Sequence, residues 1–385
     1  MIQVAWQVPN NPDWIGGLNY FVNLASALFS LPDRKVEPVL LGSDEGLPKP
    51  FDKCRVLPYP WIPTTRWNPL RIFDAVGRKY LDNGGILGRT LKENGIGLLS
   101  HGQILGRRSP VPAMCWIPDF QHVHLPEFFT PLECVARDRT FNDIATRAQA
   151  VVLSSEDARK DFIRLFPKQK HKTYVLHFVA ATSDAGLPPL KAVLKKYAID
   201  EPYLHVPNQL WAHKNHTIIV EALATLKRQG KCPLVISTGQ TNDYRNPDYF
   251  PLLNQRVKDE QLDTRFRFLG LTPYADMATL MRGAVAMINP SLFEGWSTTV
   301  EEAKSLGKRL ILSNIPVHLE QNPERGLFFD PHDPEALATS IKTVFDEYDS
   351  KKDQEYMQEA VRNLPERIQR YGRDYQNIVM KVVNY

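Results

Sequence analysis

Two glutamates eight positions apart, Glu294 and Glu302, carry the clearest chemistry in this 385-residue chain. They lie in AVAMINPSLFEGWSTTVEEAKSLGKRLILSN, where an apolar run delivers the chain into Asn289-Pro290-Ser291 and then a Glu294-Gly295-Trp296 loop. Ser297 or Thr298 is a good N-cap, the spacing predicts a helix from about Thr299 to Leu306, and Gly307 stops it. The amides of Ser297, Thr298, Thr299 and Val300 would then point out of a positive helix end, which suits a phosphate. Glu302 sits about one turn in, and helical side chains tilt toward the N-terminus. A carboxylate there repels phosphate but accepts hydrogen bonds from neutral hydroxyls such as a ribose diol. Glu294 can do the same for a sugar ring. Glu301 is turned about 100° away and is expected to face solvent. The plainer alternative is a capped core helix with surface glutamates.

Strands and helices must alternate to place that loop. IQVAWQV reads as an opening strand, and the helix after it, with Leu18, Phe21, Val22, Ala25 and Leu28 at helical spacing, starts at Gly16-Gly17. EPVLLG reads as a strand, residues 70–93 as helix, and GIGLLSHG, MCWIPDF and AVVLSS as strands ending in polar residues. The second half repeats this grammar with YLHVPNQ, CPLVISTG, FRFLG, AVAMINPS and RLILSN as strands and HTIIVEALATLKRQG as a helix closed by Gly230. Alternation of this kind means parallel α/β sheets, which bind ligands beyond the carboxyl ends of their strands. The interdomain link is placed near 180–186. Hydrophobic residues at 43% and charged residues at 23% exclude a disordered chain. The start lacks signal-peptide character, and no run approaches a membrane span, so the chain is expected to be cytoplasmic. Four dispersed cysteines, without metal spacing, are expected to be reduced core residues.

The Glu-Gly loop, the second Glu-Ala and the Gly-Lys stop resemble the E-x7-E motif of the GT-B retaining glycosyltransferases, in particular the group called family 4 or group 1. FLGLTPYADMATLMRGAVAMINPSLFEGW is similar to that family's approach to the motif, and LFFDPHDPEALATSI to its closing segment. PNQLWAHKNHTIIVEALATL is similar to the segment that opens its second domain. The resemblance is strong from about 204 to 345 and keeps its order through the N-terminal half. It implies an α/β GT-B fold, two Rossmann-like doubly wound domains facing across a cleft. The acceptor-binding domain would be 1–182, completed by a C-terminal helix at about 366–385, and the nucleotide-sugar-binding domain 183–365. The implied activity is transfer of a sugar from a nucleotide-diphosphate-sugar to a hydroxyl acceptor with retained configuration, in polysaccharide or glycolipid assembly. Carried over by position, Glu302 would hold the ribose and Glu294 the transferred sugar. Lys214 would neutralise the diphosphate, with Gly17, Gly295 and the amides of Ser297–Val300 completing its cradle. Leu271 would sit near the base.

This chain departs from the family at several points. Asn208 stands for a glycine, Gln209 for a frequent arginine, and His213 for the arginine of the related R-K-N arrangement, so one cation of the usual pair is missing or only partly charged. In WIPDFQHVHLPEFF the family's histidine falls on Pro118. Asp119 and His122 are then the candidates for chemistry on the acceptor side, with His101 and His124 as substitutes for the histidine. No D-x-D occurs, so no metal and no further cofactor is expected beyond the donor substrate. The chain also lacks Walker, G-x-S-x-G and G-x-G-x-x-G motifs, which leaves hydrolase and NTPase readings unsupported. The alternatives that stay open are a GT-B epimerase or hydrolase of nucleotide sugars, and a non-catalytic nucleotide-sugar or glycan-binding protein.

Charge is unevenly placed. Residues 1–180 carry 22 Lys/Arg against 17 Asp/Glu. Segment 55–92 holds seven basic residues, two acids and the aromatics Tyr59, Trp61, Trp67, Phe73 and Tyr80. That surface suits an anionic membrane face or acceptor, against the plainer reading of a solvated face with core aromatics. Nucleic acid is not expected, since no recognition motif accompanies the basic residues.

Overall fold

The computed structural model describes residues 1–8, 15–43, 45–59, 69–181 and 186–384. Trp61, Arg66 and Trp67, and positions 182–185 of the expected link, lie outside the described residues. The chain divides into two compact units, one of 1–120, 131–180 and 366–385, the other of 121–130 and 181–365.

Among the described residues the first unit holds seven strands: β1 (Ile2–Trp6), β2 (Val36–Leu41), β3 (Arg55–Leu57), β4 (Ile96–Ser100), β5 (Ala113–Ile117), β6 (Ala150–Leu153) and β7 (Thr173–Val175). They pair in parallel in the order β3-β2-β1-β4-β5-β6-β7. The second unit has β8 (Tyr203–Val206), β9 (Leu234–Thr238), β10 (Phe266–Gly270), β11 (Ala286–Asn289), β12 (Leu310–Ser313) and β13 (Gly326–Phe329). Their order, β10-β9-β8-β11-β12-β13, is again parallel throughout. In both sheets the order reverses direction beside the first strand of the unit. These are doubly wound sheets, and the second places its switch point between β8 and β11. Both strands are fully buried, as expected for a parallel sheet covered on its two faces.

The final helix, Ser350–Val383, runs through Pro365, where the boundary between the units falls. Within the first unit its C-terminal half is tied down firmly. Tyr375 Oη accepts from Trp6 Nε1 at 2.8 Å, Gln376 Oε1 accepts from the Lys35 amide at 2.6 Å, and Gly372 lies against Ala27. A Cβ at Gly372 would stand 2.6 Å from the Ala27 carbonyl oxygen, so only glycine permits that approach.

The single helix expected over 70–93 is two, Pro69–Lys79 and Gly85–Glu93. Positive φ at Asp82, Gly84 and Gly85 turns the chain between them, and Asp74 then caps the second by accepting from the Ile86 and Leu87 amides at 2.8 and 3.1 Å. The first of these helices is amphipathic in reverse. Its polar Asp74 is buried with Gly77, while Ile72, Phe73 and Val76 are exposed, as is Tyr80 just after it. Only Cys115 of the four cysteines is buried; Cys54, Cys134 and Cys232 are half-buried and free. Among the described residues no helix is long and apolar enough to cross a membrane.

Candidate functional site

The loops after β8 and β11 meet at the switch point of the second sheet through a chain of short polar side chains. Asn208 Nδ2 donates to Asn289 Oδ1 at 3.0 Å, Asn289 Nδ2 to Ser297 Oγ at 2.8 Å, and Thr299 Oγ1 to Asn208 Oδ1 at 2.8 Å. Asn208 therefore has a reason to stand where the resembling family has glycine: it locks the two loops together. Gly239, after β9, makes room for it. A Cβ there would lie 2.4 Å from the Asn208 carbonyl oxygen.

Helix Thr298–Leu306 begins and ends where the sequence places it, with Ser297 as N-cap and Gly307 in the left-handed region as C-cap. The expected cradle of four amides narrows to two. The Val300 amide donates to Ser297 Oγ at 3.4 Å, and the Ser297 amide to Gln321 Oε1 at 3.2 Å. Those of Thr298 and Thr299 stay outside this network, as first-turn amides of a helix do. Glu301 is not solvent-facing. It is buried, pairs with Lys304 at 3.0 Å and accepts from Gln321 Nε2 at 3.1 Å, because helix Pro316–Gln321 packs over that face.

The acidities of the two motif glutamates are driven in opposite directions. Burial alone acts on Glu302 and pushes its carboxyl up to about 7. Burial also acts to raise Glu294, but the Lys214 ammonium beside it outweighs burial and holds the acid at about 2. Lys214 Nζ lies 2.6 Å from Glu294 Oε1, which also accepts from Ser291 Oγ at 2.7 Å. Environments that push two carboxyls apart are the pattern of a site with divided labour. The histidines nearby are neutral. Burial, reinforced by Lys214, holds His213 well below its ordinary value, so the partly charged substitute for an arginine expected there is corrected to an uncharged ring. Burial holds His318 at about 4 and His216 at about 3.

The remaining sequence-derived positions scatter. Gln209 and Gly295 are half-buried in the two switch-point loops. Leu271 follows the end of edge strand β10 and is exposed. Gly17 is buried near the start of helix Ile15–Phe29 in the first unit. Asp119 belongs to the first unit, where it forms an ion pair with Arg137 at 2.8 Å. His122 falls in the second unit with the short segment 121–130; it is buried, its ring 6.2 Å from Phe129. His124 packs at 5.2 Å from Phe293, next to Glu294. His101 is unsuited to substrate chemistry. It is buried in the first unit, engaged at Nε2 by Tyr20 and at Nδ1 by Ser100, with burial holding it at about 3.

Sequence reasoning missed four groups that build the site: Asn289, Gln321, His318 and the Asp243–Arg245 turn. Asp243 Oδ2 accepts from the Ala212 amide at 3.1 Å, fixing the turn to the loop that bears Lys214. The one available signal was sequence order: Asn289 ends β11, the Asp243–Arg245 turn follows β9, and His318 and Gln321 sit in the short helix after β12.

The model of the family described as glycosyl transferases group 1 matches residues 193–364. O-antigen chain mannosyltransferase B of Escherichia coli is 23% identical, over 56% of this chain and 56% of its own length. O-antigen chain mannosyltransferase RfbU of Salmonella typhimurium is 26% identical, over 48% of this chain and 47% of its own. The chain thus spans about half the length of these curated relatives. Among solved structures, Anabaena Alr3699/HepE in complex with UDP and glucose superposes with a TM-score of 0.64 at 17% identity, covering 100% of this chain and 97% of that one. Residues 193–364 thus match the group 1 glycosyl transferase domain, and the two doubly wound sheets have the α/β GT-B fold of these structural neighbours.

Proposed function

We propose that the protein transfers a sugar from a nucleotide-diphosphate-sugar to a hydroxyl acceptor, with retained configuration and without a divalent ion, in surface polysaccharide or glycolipid assembly. The observation that carries this reading is the divided pair at the switch point. Glu294 is held ionised by Lys214, while Glu302 lies buried one turn into a helix whose first amides are open. Glu302 would accept from the ribose hydroxyls, Glu294 from the transferred sugar, and Lys214 with the Thr298 and Thr299 amides would stabilise the departing diphosphate. Gly17, Asp119 and His122 belong to the reading as acceptor-side groups, with Leu271 near the base. The names of the two O-antigen relatives favour polysaccharide assembly and make mannose the first sugar to test.

The test is thermal stabilisation by UDP, GDP, dTDP and ADP on wild type and Glu302→Ala. A ligand at a hundredfold over its Kd adds about 2.7 kcal/mol. One nucleotide should shift the wild type and fail to shift the variant; a panel that shifts neither sinks the donor site. A non-catalytic sugar-nucleotide binder is the second reading, favoured by the Asp119–Arg137 pair and the fully engaged His101. It predicts stabilisation by a nucleotide sugar that never turns over with any acceptor.

A peripheral, inner-face membrane contact through 55–92 is part of the same proposal, supporting a lipid-linked acceptor. Its support is the outward apolar face of helix Pro69–Lys79, flanked by Lys79 and by exposed Arg89 and Lys92, which suits an anionic lipid surface. Wild type should co-float with phosphatidylglycerol-containing vesicles and not with pure phosphatidylcholine, and Phe73→Ser with Val76→Ser should abolish co-flotation. Failure of the wild type to float with the anionic vesicles removes this clause.

A further inference from the structure

Arg245, in the turn after β9, is a cation built into the second unit without a paired carboxylate. Its guanidinium carbon stands 4.7 Å from the ring centre of Phe129, 5.0 Å from Trp211 and 5.5 Å from Tyr244. The backbone beneath it is fixed, since the Arg245 amide donates to Asp243 Oδ1 at 3.1 Å. The other oxygen of Asp243 takes the Ala212 amide and Asn246 Nδ2. Among the described residues no carboxylate forms an ion pair with Arg245; Nε is buried without an acceptor, and Nη1 reaches Gln121 Oε1 only at 3.4 Å. The three rings hold the guanidinium in place without neutralising it, so its charge stays available to an anion.

The charge balance around it says what is missing. A nucleotide sugar brings two negative charges on its diphosphate. Lys214 is already matched by Glu294, and Gln209 is neutral. Arg245 is the further cation whose field reaches the His213 ring, next to Lys214. Its turn is also bonded to the loop that bears them, by the Leu210 amide to the Gln240 carbonyl at 2.9 Å as well as through Asp243. The geometry points to Arg245 as a phosphoryl-binding residue of the donor site, the second cation for the diphosphate, held ready by its aromatic cage. This rests on the donor reading above. A planar fork stacked on rings loses little entropy on binding and matches two phosphate oxygens, which a lysine cannot do.

Calorimetric titration of the full chain tests this with four nucleoside diphosphates, the matching nucleosides and inorganic pyrophosphate, on wild type, Arg245→Gln and Arg245→Lys. Arg245→Gln should lose about ten- to a hundredfold in affinity for the diphosphates and pyrophosphate. It should bind nucleosides as before and show a shallower salt dependence, and Arg245→Lys should recover only part of the loss. Arg245→Met, which keeps an apolar stem on the rings, repeats the measurement if the glutamine variant fails to fold. Unchanged diphosphate affinity overturns the proposal, and so does an equal loss for nucleosides, which marks a packing role. Pyrophosphate weakened with nucleoside diphosphate unaffected overturns the assignment to the donor. If the wild type binds pyrophosphate through Arg245 but no nucleoside diphosphate, the donor reading falls and the phosphoryl site stands. If it binds neither, both fall.

Discussion

Replacing Glu302 by glutamine should make the ligand-free protein more stable at pH 8 while stripping it of nucleotide-sugar affinity. Burial raises this carboxyl from an ordinary 4.5 to about 7. Below pH 4.5 it is protonated in folded and unfolded chains alike, and the folded state suffers no penalty. As pH rises toward and through 7 the unfolded chain releases its proton freely, while the folded one must ionise a desolvated acid. The stability present at low pH is therefore lost across that window, by about 3 kcal/mol in total. Glutamine, uncharged throughout, keeps it. Urea unfolding at pH 5 and pH 8 should show a drop for wild type and a flatter profile for the variant; parallel profiles would falsify the assignment. Donor binding runs the opposite way. Ribose hydroxyls donate best to the ionised form, so binding drives the proton off, and affinity should rise from pH 6 to 8 by at most about tenfold per unit. A nucleotide sugar is the right ligand for that titration, since its diphosphate does not itself titrate there.

This behaviour was only half legible in the sequence. Cap, stop and period were local, so helix Thr298–Leu306 and both of its glutamates could be placed from residues a few positions apart. What those glutamates experience is not local. Glu301 is covered through Gln321, twenty residues on, and Glu294 is held ionised by Lys214, eighty residues back. The same limit hid the edge strands β3 and β7 and the four-residue β13, all too short to show a period and defined only by the neighbour each pairs with. The break between Lys79 and Gly85 was a different miss. Asn83-Gly84-Gly85 is a turn signal, and a run of apolar residues at helical spacing on either side outweighed it. Arg245 carried no motif at all; its meaning lies in two rings from distant segments, Phe129 and Trp211, beside that of its neighbour Tyr244.

Removing Glu294 should cost more activity than any other single change, and it should do so without weakening nucleoside diphosphate binding. In the wild type Lys214 is shared: the carboxylate that holds it at 2.6 Å also neutralises it. Glu294→Ala frees the ammonium for phosphate, so diphosphate affinity should hold or improve. Turnover should fall about a thousandfold, the scale of losing a preorganised charge at the reacting sugar. The variant should also lose about 3 kcal/mol of stability, because a buried ammonium is left without its partner. Lys214→Met makes the converse cut. Diphosphate affinity falls, and burial, now unopposed by the ammonium, lifts Glu294 from about 2 toward and past the ordinary carboxylate range. The acidic limb of the pH–rate profile should therefore move upward in Lys214→Met. Titration with nucleoside diphosphate and pH-dependent turnover on the two variants separate the roles. If Glu294→Ala keeps its turnover and loses nucleotide binding, the two residues have been assigned the wrong way round, and Glu294 serves only to position the lysine.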